Sequence, residues 1–527
     1  MSWRETIDGF TRRDLFQGGG WLAALGLAPR SRAHAAPALS LGRDLYQSIG
    51  VRPLINCKGT FTIISGSLTL PEVKKAMEEA SLHYVHLDEL MEAVGRRLAE
   101  LTGAAWAIVT SGCAAALTHV TAAAIAGADP EKMQRLPDLT GLQSEVIMPA
   151  TSRNIYDHAL RMLGVKIVEV STKEQYLEAF SDRTALVFVL GEPAQTGPLR
   201  LEEIAGPARQ KGVPILVDAA AEHLTIPNVH LQRGATMVAY SGGKCIRGPQ
   251  CAGLLLGPKD LLQAAWLNSA PHHAFGRSMK AGKEEIMGML AAVEMWVKRD
   301  HEAERKTWES WLARIAGRVS PIPGVKTEVL QPKGLDNRAP RLRIHWDAAR
   351  LGITGNQVEK LLDEGEPRII LAGSTGDGRL DRENSITIMP YMMVAGEETI
   401  VAERLVAVLS KPLPKQPAAP SVAPAAVAGR WDLRLEFVRG SAGHALFLEQ
   451  QGEKLVGTHR GEQLVGELRG SVEGGEVRLE SSFRYEGARL RYRFLGRLED
   501  DKMSGTVDLG EYGQARWSAQ RHRYAAA

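Results

Sequence analysis

Cysteine is scarce in this sequence, and its spacing indicates neither a disulfide scaffold nor a structural zinc site. The 527 residues contain four cysteines, Cys57, Cys113, Cys245 and Cys251. They form no C-x-x-C pair, and none has a histidine at zinc-finger spacing. The neighbours His272 and His273 lack a carboxylate or cysteine partner at ligand spacing, so no metal site is expected.

An excess of charge of one sign is also missing. The sequence has 64 Lys and Arg residues against 61 Asp and Glu residues, a net charge of +3 at pH 7. Nucleic-acid binding requires a basic patch or stripe, so no nucleic-acid partner is expected. With 44% hydrophobic and 24% charged residues, the chain has the composition of a globular protein of about two to four domains.

The N-terminal apolar segment is too short to span a membrane. Arg12 and Arg13 precede a weakly apolar run over residues 17–28 and the small tripeptide Ala33-His34-Ala35. That run is about half of the ~20 residues a membrane span requires. We interpret residues 1–35 as a twin-arginine signal peptide that directs the protein to the twin-arginine export machinery and the periplasm or beyond. A cytoplasmic protein with a disordered extension, or an uncleaved tether, stays an alternative because the usual Phe-Leu order is reversed at Leu15-Phe16.

Short apolar segments alternate with helix-like segments over residues 41–318. Strands are predicted at residues 106–109, 145–148, 165–170, 184–190, 214–217, 236–240 and 254–256, and helices at 87–101, 114–126, 154–163, 173–180, 201–211 and 282–298. This alternation predicts a three-layer α/β domain with a mostly parallel sheet. Residues 319–410 read as a smaller α+β subdomain, with strands near 341–346 and 385–389.

Two further segments follow. Residues 411–429 are rich in Pro and Ala and indicate a semi-rigid linker. Beyond it, residues 430–527 alternate apolar and polar side chains with period two, which predicts a separate antiparallel β-barrel or sandwich. Its opening, Gly429-Arg430-Trp431, weakly resembles calycin-like barrels. Packing or partner contact is the favoured role, and ligand binding stays open.

Three motifs that lie far apart in the sequence contain residues suited to binding or reacting with a ligand. Ser111-Gly112-Cys113 lies between a strand and a helix, where free backbone N–H groups form a phosphate cup; close packing is the alternative reading. Asp218 ends an apolar strand, where it either meets a cationic ligand group or caps a helix. Lys244 follows Ser241-Gly242-Gly243 at another strand end. Partial burial there would favour the neutral amine that attacks aldehydes.

Two other readings of the lysine motif are excluded. Ser241-x-x-Lys244 matches the first string of penicillin-binding enzymes, but the companion S-D-N and K-T-G strings are absent. A P-loop requires Ser or Thr after the lysine, and here Cys245 follows.

In this order, a phosphate cup, a strand-end Asp and a Gly-flanked Lys resemble the fold-type-I enzymes of pyridoxal 5′-phosphate. Residues 50–60, 87–103 and 153–158 further resemble the selenocysteine synthase family, and most of all its shorter bacterial members related to D-glucosaminate-6-phosphate ammonia lyase. The resemblance covers residues 41–410.

The resemblance implies a role for each site residue. Lys244 would bind the cofactor as a Schiff base and move protons at the substrate α-carbon, and Asp218 would pair with the pyridine nitrogen. His158 would stack on the cofactor ring. The phosphate would be held by Ser111, Gly112, Cys113 and Ser241. A substrate carboxylate or phosphate would meet His223, Arg247 or Arg277, each of which is equally open to a structural role.

The leader stands where selenocysteine synthases carry a tRNA-binding region, which counts against selenium transfer. The expected activity is therefore a pyridoxal-phosphate-dependent lyase that performs α,β-elimination (dehydration and deamination) on a small amino acid or amino sugar acid and releases ammonia and a keto acid. Selenium transfer, transamination, racemisation and an inactive scaffold stay alternatives. The resemblance also implies a homo-oligomer. Substrate and subunit number are not specified by the sequence.

Overall fold

The computed structural model describes residues 39–42, 44–372, 384–411 and 423–523, which form an α/β unit, a smaller α+β unit and a β-barrel. The predicted leader at residues 1–35 and most of the predicted linker lie outside these ranges. Within them, no helix combines the length and apolar character needed to cross a bilayer.

A seven-stranded sheet forms the centre of the large α/β unit. Its strands run in the order β2-β8-β7-β6-β5-β3-β4. Neighbours are parallel except at β8, which runs antiparallel to both β2 and β7. The strands are β2 (Trp106–Thr110), β3 (Glu145–Pro149), β4 (Lys166–Val170), β5 (Thr184–Leu190), β6 (Ile215–Asp218), β7 (Met237–Ser241) and β8 (Gly253–Gly257). The sequence prediction of a mostly parallel sheet is confirmed.

Helices cover both faces of this sheet, so β2, β3, β6 and β8 are buried along their whole length. The larger helices are α1 (Pro71–Ser81), α2 (Leu87–Thr102), α3 (Cys113–Ala126), α8 (Leu201–Gln210), α10 (Lys259–Leu267), α11 (Lys283–Lys298) and α12 (His301–Val319). The short ones are α4 (Pro130–Arg135), α5 (His158–Arg161), α6 (Lys173–Glu178), α7 (Gly191–Thr196) and α9 (Val229–Gln232).

The helix predicted over residues 154–163 is largely replaced by tight turns. A 3-10 turn at Ile155–Asp157 precedes the four-residue α5. The Asn154 side chain accepts the Tyr156 N–H at 2.7 Å, and the buried Asp157 carboxylate accepts bonds from Arg153 and Arg161. These side-chain bonds compete with a regular helix at its start.

The small α+β unit contains elements that the sequence pattern did not reveal. A three-stranded antiparallel sheet has the order β12-β10-β9, and β1 pairs in parallel with β11 beside it. Ile55 and Cys57 of β1 therefore belong to this unit's core, together with one face of α12. The elements are β1 (Leu54–Cys57), β9 (Lys326–Leu330), β10 (Arg341–His345), β11 (Arg368–Leu371), β12 (Ser385–Ile388), α13 (Ala348–Leu351), α14 (Gly355–Glu364) and α15 (Glu397–Leu409).

The C-terminal unit is a closed barrel in which each strand pairs with the next and β20 closes on β13. Alternate side chains point inward, as along β17, where Val477, Leu479 and Phe483 are buried. Its strands are β13 (Gly429–Glu436), β14 (Ser441–Gln451), β15 (Lys454–Arg460), β16 (Val465–Glu473), β17 (Glu476–Tyr485), β18 (Ala488–Glu499), β19 (Lys502–Asp508) and β20 (Gln514–Arg521). Of the two predicted architectures, the structure is therefore the barrel.

Candidate active site

The junction between β2 and α3 presents open backbone N–H groups. Gly112 sits at the N-terminus of α3 with φ of 88°, a left-handed conformation that favours glycine, and no described side chain caps the helix. The Thr110 hydroxyl donates to the Gly112 carbonyl at 2.9 Å and holds the turn. A Cβ at Gly253 would lie 2.6 Å from the Gly112 carbonyl carbon, so glycine there permits the close approach of β8. The N–H groups and the helix dipole together favour an anion.

Asp218 lies at the carboxyl end of β6 and is only 4% exposed. Its Oδ1 accepts the Ala220 N–H at 3.0 Å and the Cys113 thiol at 3.5 Å. Burial raises the pKa of Asp218, although the positive charge of Lys244 acts in the opposite direction. Burial and the negative charge of Asp218 likewise raise the pKa of Cys113, which keeps its sulfur a thiol. A buried carboxylate of this kind is suited to a cationic ligand group.

Lys244 lies in a tight turn directly after β7. The Gly242 N–H donates to the Ala252 carbonyl at 2.7 Å, and the Gly248 N–H donates to the Gly242 carbonyl at 2.8 Å. A Cβ at Gly243 would overlap the Gln250 side chain, so the turn needs a glycine at that position. The lysine is half-buried, and its charge acts on Asp218 and Cys113.

The three motifs predicted from the sequence therefore meet in one place, and their chemistry fits pyridoxal 5′-phosphate. The N-terminus of α3 suits the phosphate, the buried Asp218 suits the ring nitrogen, and the amine of Lys244 suits the aldehyde. Ser241 ends β7, half-buried, with its N–H donated to the Ala220 carbonyl at 3.2 Å. Its hydroxyl as a phosphate contact stays a prediction.

The aromatic ring beside Lys244 belongs to Tyr156 rather than to His158. The Lys244 Nζ lies 6.0 Å from the Tyr156 ring centroid. Tyr156 is 49% exposed, and His158, at the start of α5, is exposed as well. Stacking of His158 on the cofactor ring stays a prediction, and Tyr156 is the other candidate for that role. The sequence pattern Asn154-x-Tyr156 indicated a turn at this point, because an Asn side chain can accept the N–H of the residue two positions later.

His223 and Arg247 line the same cavity, whereas Arg277 is exposed and lies outside it. The cavity has a volume of about 460 Å³ and is also lined by Cys245, the residue after the catalytic-site lysine. Burial lowers the pKa of His223 to about 4, with additional effect from neighbouring positive charges, so this imidazole is neutral at pH 7. Contact of His223, Arg247 or Arg277 with a substrate carboxylate or phosphate stays a prediction.

Asp336 is a site residue that sequence reasoning missed. It lies in the loop between β9 and β10, and burial raises its pKa while the charge of Lys244 lowers it. The Asn337 amide donates to both Asp336 oxygens at 3.0 Å. No motif surrounds Asp336 in the sequence, and only the packing of the small unit on the large one brings it near the lysine.

The barrel contacts the loop that carries Tyr156. At the tip of the β17–β18 hairpin, Glu486 bonds Arg153, whose side chain is 6% exposed and also bonds Asp157 and Glu169. A Cβ at Gly487 would overlap the Asn154 carbonyl oxygen. The sequence interpretation of the β domain as a packing module is consistent with this contact. Among the described residues, no group of three or more His, Cys, Asp or Glu side chains is arranged to hold a metal ion.

Comparison with known proteins places this geometry among characterised enzymes. Residues 74–327 match the family described as Aminotransferase class-V. The D-glucosaminate-6-phosphate ammonia lyase of Salmonella typhimurium is 31% identical over 341 residues, which cover 61% of this chain and 88% of that protein. The solved structure of a D-glucosaminate-6-phosphate ammonia-lyase superimposes with a TM-score of 0.63 at 28% identity and covers 70% of this chain and 99% of that one.

Two other relatives are slightly more distant. The 5′-C-glycyluridine monooxygenase-decarboxylase of a Streptomyces species is 29% identical, and the match covers 62% of this chain and 83% of that protein. The L-seryl-tRNA(Sec) selenium transferase of Rhizobium meliloti is 28% identical, with coverage of 56% and 66%. The matching region, the site chemistry and the fold agree that this chain is an enzyme of pyridoxal 5′-phosphate.

Proposed function

Since this chain belongs to the family of D-glucosaminate-6-phosphate ammonia lyase, we propose that it is a lyase that eliminates water from a small amino acid or amino sugar acid. One water is then taken up as ammonia leaves, so the net products are ammonia and a keto acid. The observation that carries the proposal is the meeting of three groups at one edge of the sheet. The open N-terminus of α3, the buried Asp218 and the glycine-flanked Lys244 lie together. All three groups suit the cofactor, and Lys244 also suits proton transfer.

Each residue has a physical task in this reaction. Pyridoxal 5′-phosphate, when bound, supplies an electron-accepting ring that stabilises negative charge at the substrate α-carbon. Lys244 holds the cofactor through its Nζ and then takes and returns protons at the α-carbon. Asp218 keeps a positive charge at the ring nitrogen favourable, and the N–H groups at the start of α3 hold the phosphate. Tyr156 bounds the site on the side of Lys244.

Product analysis tests this function directly. The protein is incubated with D-glucosaminate 6-phosphate, with serine and with threonine, and ammonia and keto acid are measured together. We expect the two products in equal amounts, a loss of at least about 100-fold in Lys244→Ala, and full activity in the control Lys211→Ala, an exposed lysine just after α8.

Other outcomes identify the competing reactions. Amino-group transfer without net ammonia would favour an aminotransferase. Oxygen uptake coupled to decarboxylation would favour the chemistry named for the Streptomyces relative. Either result, with no keto acid and ammonia formed in parallel, contradicts the lyase proposal.

We also propose export and self-association. Export rests on the Arg12-Arg13 leader, and it makes a tRNA substrate unsuitable because none would be met outside the cytoplasm. Self-association is supported by large apolar side chains that are exposed within a short stretch of the large unit: Ile63 is 88%, Leu82 73% and Tyr84 fully exposed. A second copy of the chain is the partner expected to cover them.

A further inference from the structure

The cavity beside the lysine turn has a cationic lining that the proposed cofactor contacts do not use. Its volume of about 460 Å³ is within the range of small-molecule sites. Two tryptophans, Trp296 and Trp308, supply apolar wall. The charged lining consists of four arginines and two glutamates: Arg247, Arg299, Arg305, Arg338, Glu302 and Glu304. Positive charge is therefore in excess.

The excess positive charge lies on arginines that have N–H groups available as hydrogen-bond donors. Arg299 donates from Nε and Nη2 to the two oxygens of Glu304, at 2.9 and 2.8 Å. Its Nη1 is buried and has no partner among the described residues, although the whole side chain is only 10% exposed. A buried guanidinium N–H left without an acceptor costs free energy unless a ligand supplies one.

Arg247 and Arg338 also have guanidinium N–H donors available. Arg247 donates from Nε to the Leu68 carbonyl at 3.0 Å, a contact that leaves the two terminal nitrogens available. Arg338 forms no ion pair with another described residue and acts on His223 through its charge. Three guanidinium groups thus face one cavity with donors free, which is the arrangement that binds an oxyanion bidentately.

Hydrogen bonds join the wall of the cavity to the segments around the lysine site. The loop that carries Arg338 is tied to the segment after β6, because Leu335 accepts the His223 N–H and the Ala221 carbonyl accepts the Asn337 N–H, both at 2.9 Å. The Cys245 thiol, next in sequence to Lys244, donates to the same Ala221 carbonyl at 3.1 Å. The loop that carries Arg338 is therefore held beside the residue proposed to act at the α-carbon.

We propose that this cavity is a subsite for a second anionic group, phosphate or carboxylate, at the distal end of the substrate. The inference rests on the proposed function, since it assigns one end of the substrate to Lys244. It selects for amino acids that carry a distal oxyanion and against serine or threonine. Arg247, Arg299 and Arg338 are the specificity residues, and His223 completes the wall.

Calorimetric titration with inorganic phosphate tests the subsite. The holoenzyme is first reduced with borohydride, so that the cofactor's own phosphate occupies the N-terminus of α3 and the titrant reports only on the cavity. We expect one phosphate to bind per chain, and Arg338→Gln to weaken it at least about tenfold, the effect of one charged hydrogen bond. Arg299→Lys keeps the charge beside Glu304 but removes the free Nη1 donor, and should weaken binding similarly.

The matched control is Lys306→Gln. Lys306 lies on the same helix as Arg305, its side chain is 69% exposed, and it does not line the cavity. Phosphate affinity equal in Lys306→Gln, Arg338→Gln and Arg299→Lys would overturn the subsite, as would no binding to the unsubstituted protein.

Competition then identifies the source of the anion. In unreduced holoenzyme, the cofactor absorption is followed while D-glucosaminate 6-phosphate is added with and without inorganic phosphate. If inorganic phosphate raises the substrate concentration that gives half of the absorption change, the substrate's own phosphate is supported as the occupant. If that concentration does not change, the substrate's phosphate is not the occupant and the subsite is overturned. Cofactor labelling at Lys244 without phosphate binding refutes the subsite alone. Absence of that labelling refutes the proposed function instead.

Discussion

At the scale of single residues, Asp218 illustrates a conflict between stability and function. Its carboxylate is buried, and burial raises its pKa in the folded chain. A carboxyl with a raised folded pKa binds its proton more tightly when folded. The stability of the cofactor-free protein is therefore greatest below the carboxyl's ordinary pKa and falls as the pH rises through the folded value.

Asp218→Asn should separate these two effects. Without a buried charge, the cofactor-free variant should gain about 1 to 3 kcal/mol in free energy of unfolding at pH 7. Its elimination activity should fall at least about 100-fold, because the positive charge at the ring nitrogen is no longer favoured. Thermal or urea unfolding and a product assay measure the two. In Asp182→Asn, an exposed control, neither should change; a destabilised Asp218→Asn protein would contradict this account.

The ring that neighbours Lys244 gives a second test. Tyr156 lies 6.0 Å from the Lys244 Nζ, so Tyr156→Leu should weaken cofactor binding several-fold, in line with the loss of an aromatic contact worth about 1 kcal/mol. The exposed His158 should be replaceable by Leu without effect. Equilibrium dialysis of the cofactor measures both variants. A loss confined to His158→Leu would restore the stacking role predicted from the sequence.

At the scale of elements, the sequence indicated the long, strongly patterned segments and missed the short ones. Most strands of the large sheet are short apolar runs, and each predicted strand has a counterpart in the structure. β11 has only four residues, and it is defined by its pairing with β1, more than 300 positions earlier in the chain. β9 is largely exposed along an edge and carries no apolar alternation. Such elements depend on tertiary contacts that a local pattern does not encode.

The same limit applies to the site. Ser111-Gly112-Cys113, Asp218 and Lys244 were recognisable because each follows a strand whose carboxyl end faces the crevice. Asp336 and Arg338 were not, because their loop reaches the site only through the packing of the small unit. Arg299 was missed for a related reason: its free Nη1 is visible only once Glu304 is seen to occupy its other two nitrogens.

The β17–β18 hairpin is an element with a testable task. Because a Cβ at Gly487 would overlap the Asn154 carbonyl oxygen, Gly487→Ala should push the hairpin from the Tyr156 loop. We expect weaker cofactor binding and a lower melting temperature. Gly443→Ala, in open space on strand β14 of the same barrel, is the matched control. Equal cofactor affinity in the two variants would show that the barrel does not support the loop.

At the scale of the whole molecule, we propose that the leader directs the enzyme out of the cytoplasm. Replacing Arg12 and Arg13 with lysine should retain the protein in the cytoplasm, since twin-arginine export reads the arginine pair. Cell fractionation of the two proteins in a bacterial host measures the change. A replacement elsewhere in the leader, Arg30→Lys, serves as the control. Unchanged distribution of the double variant would contradict the export proposal.

The central claim is that Lys244 holds pyridoxal 5′-phosphate against Asp218 and the N-terminus of α3. The most direct measurement is the near-visible absorption spectrum of the purified protein before and after borohydride, with mass spectrometry of the reduced peptides. We predict a yellow protein that loses its visible band on reduction and carries the reduced cofactor on Lys244 alone. A protein that stays colourless after incubation with the cofactor, or a label on another lysine, would contradict the account.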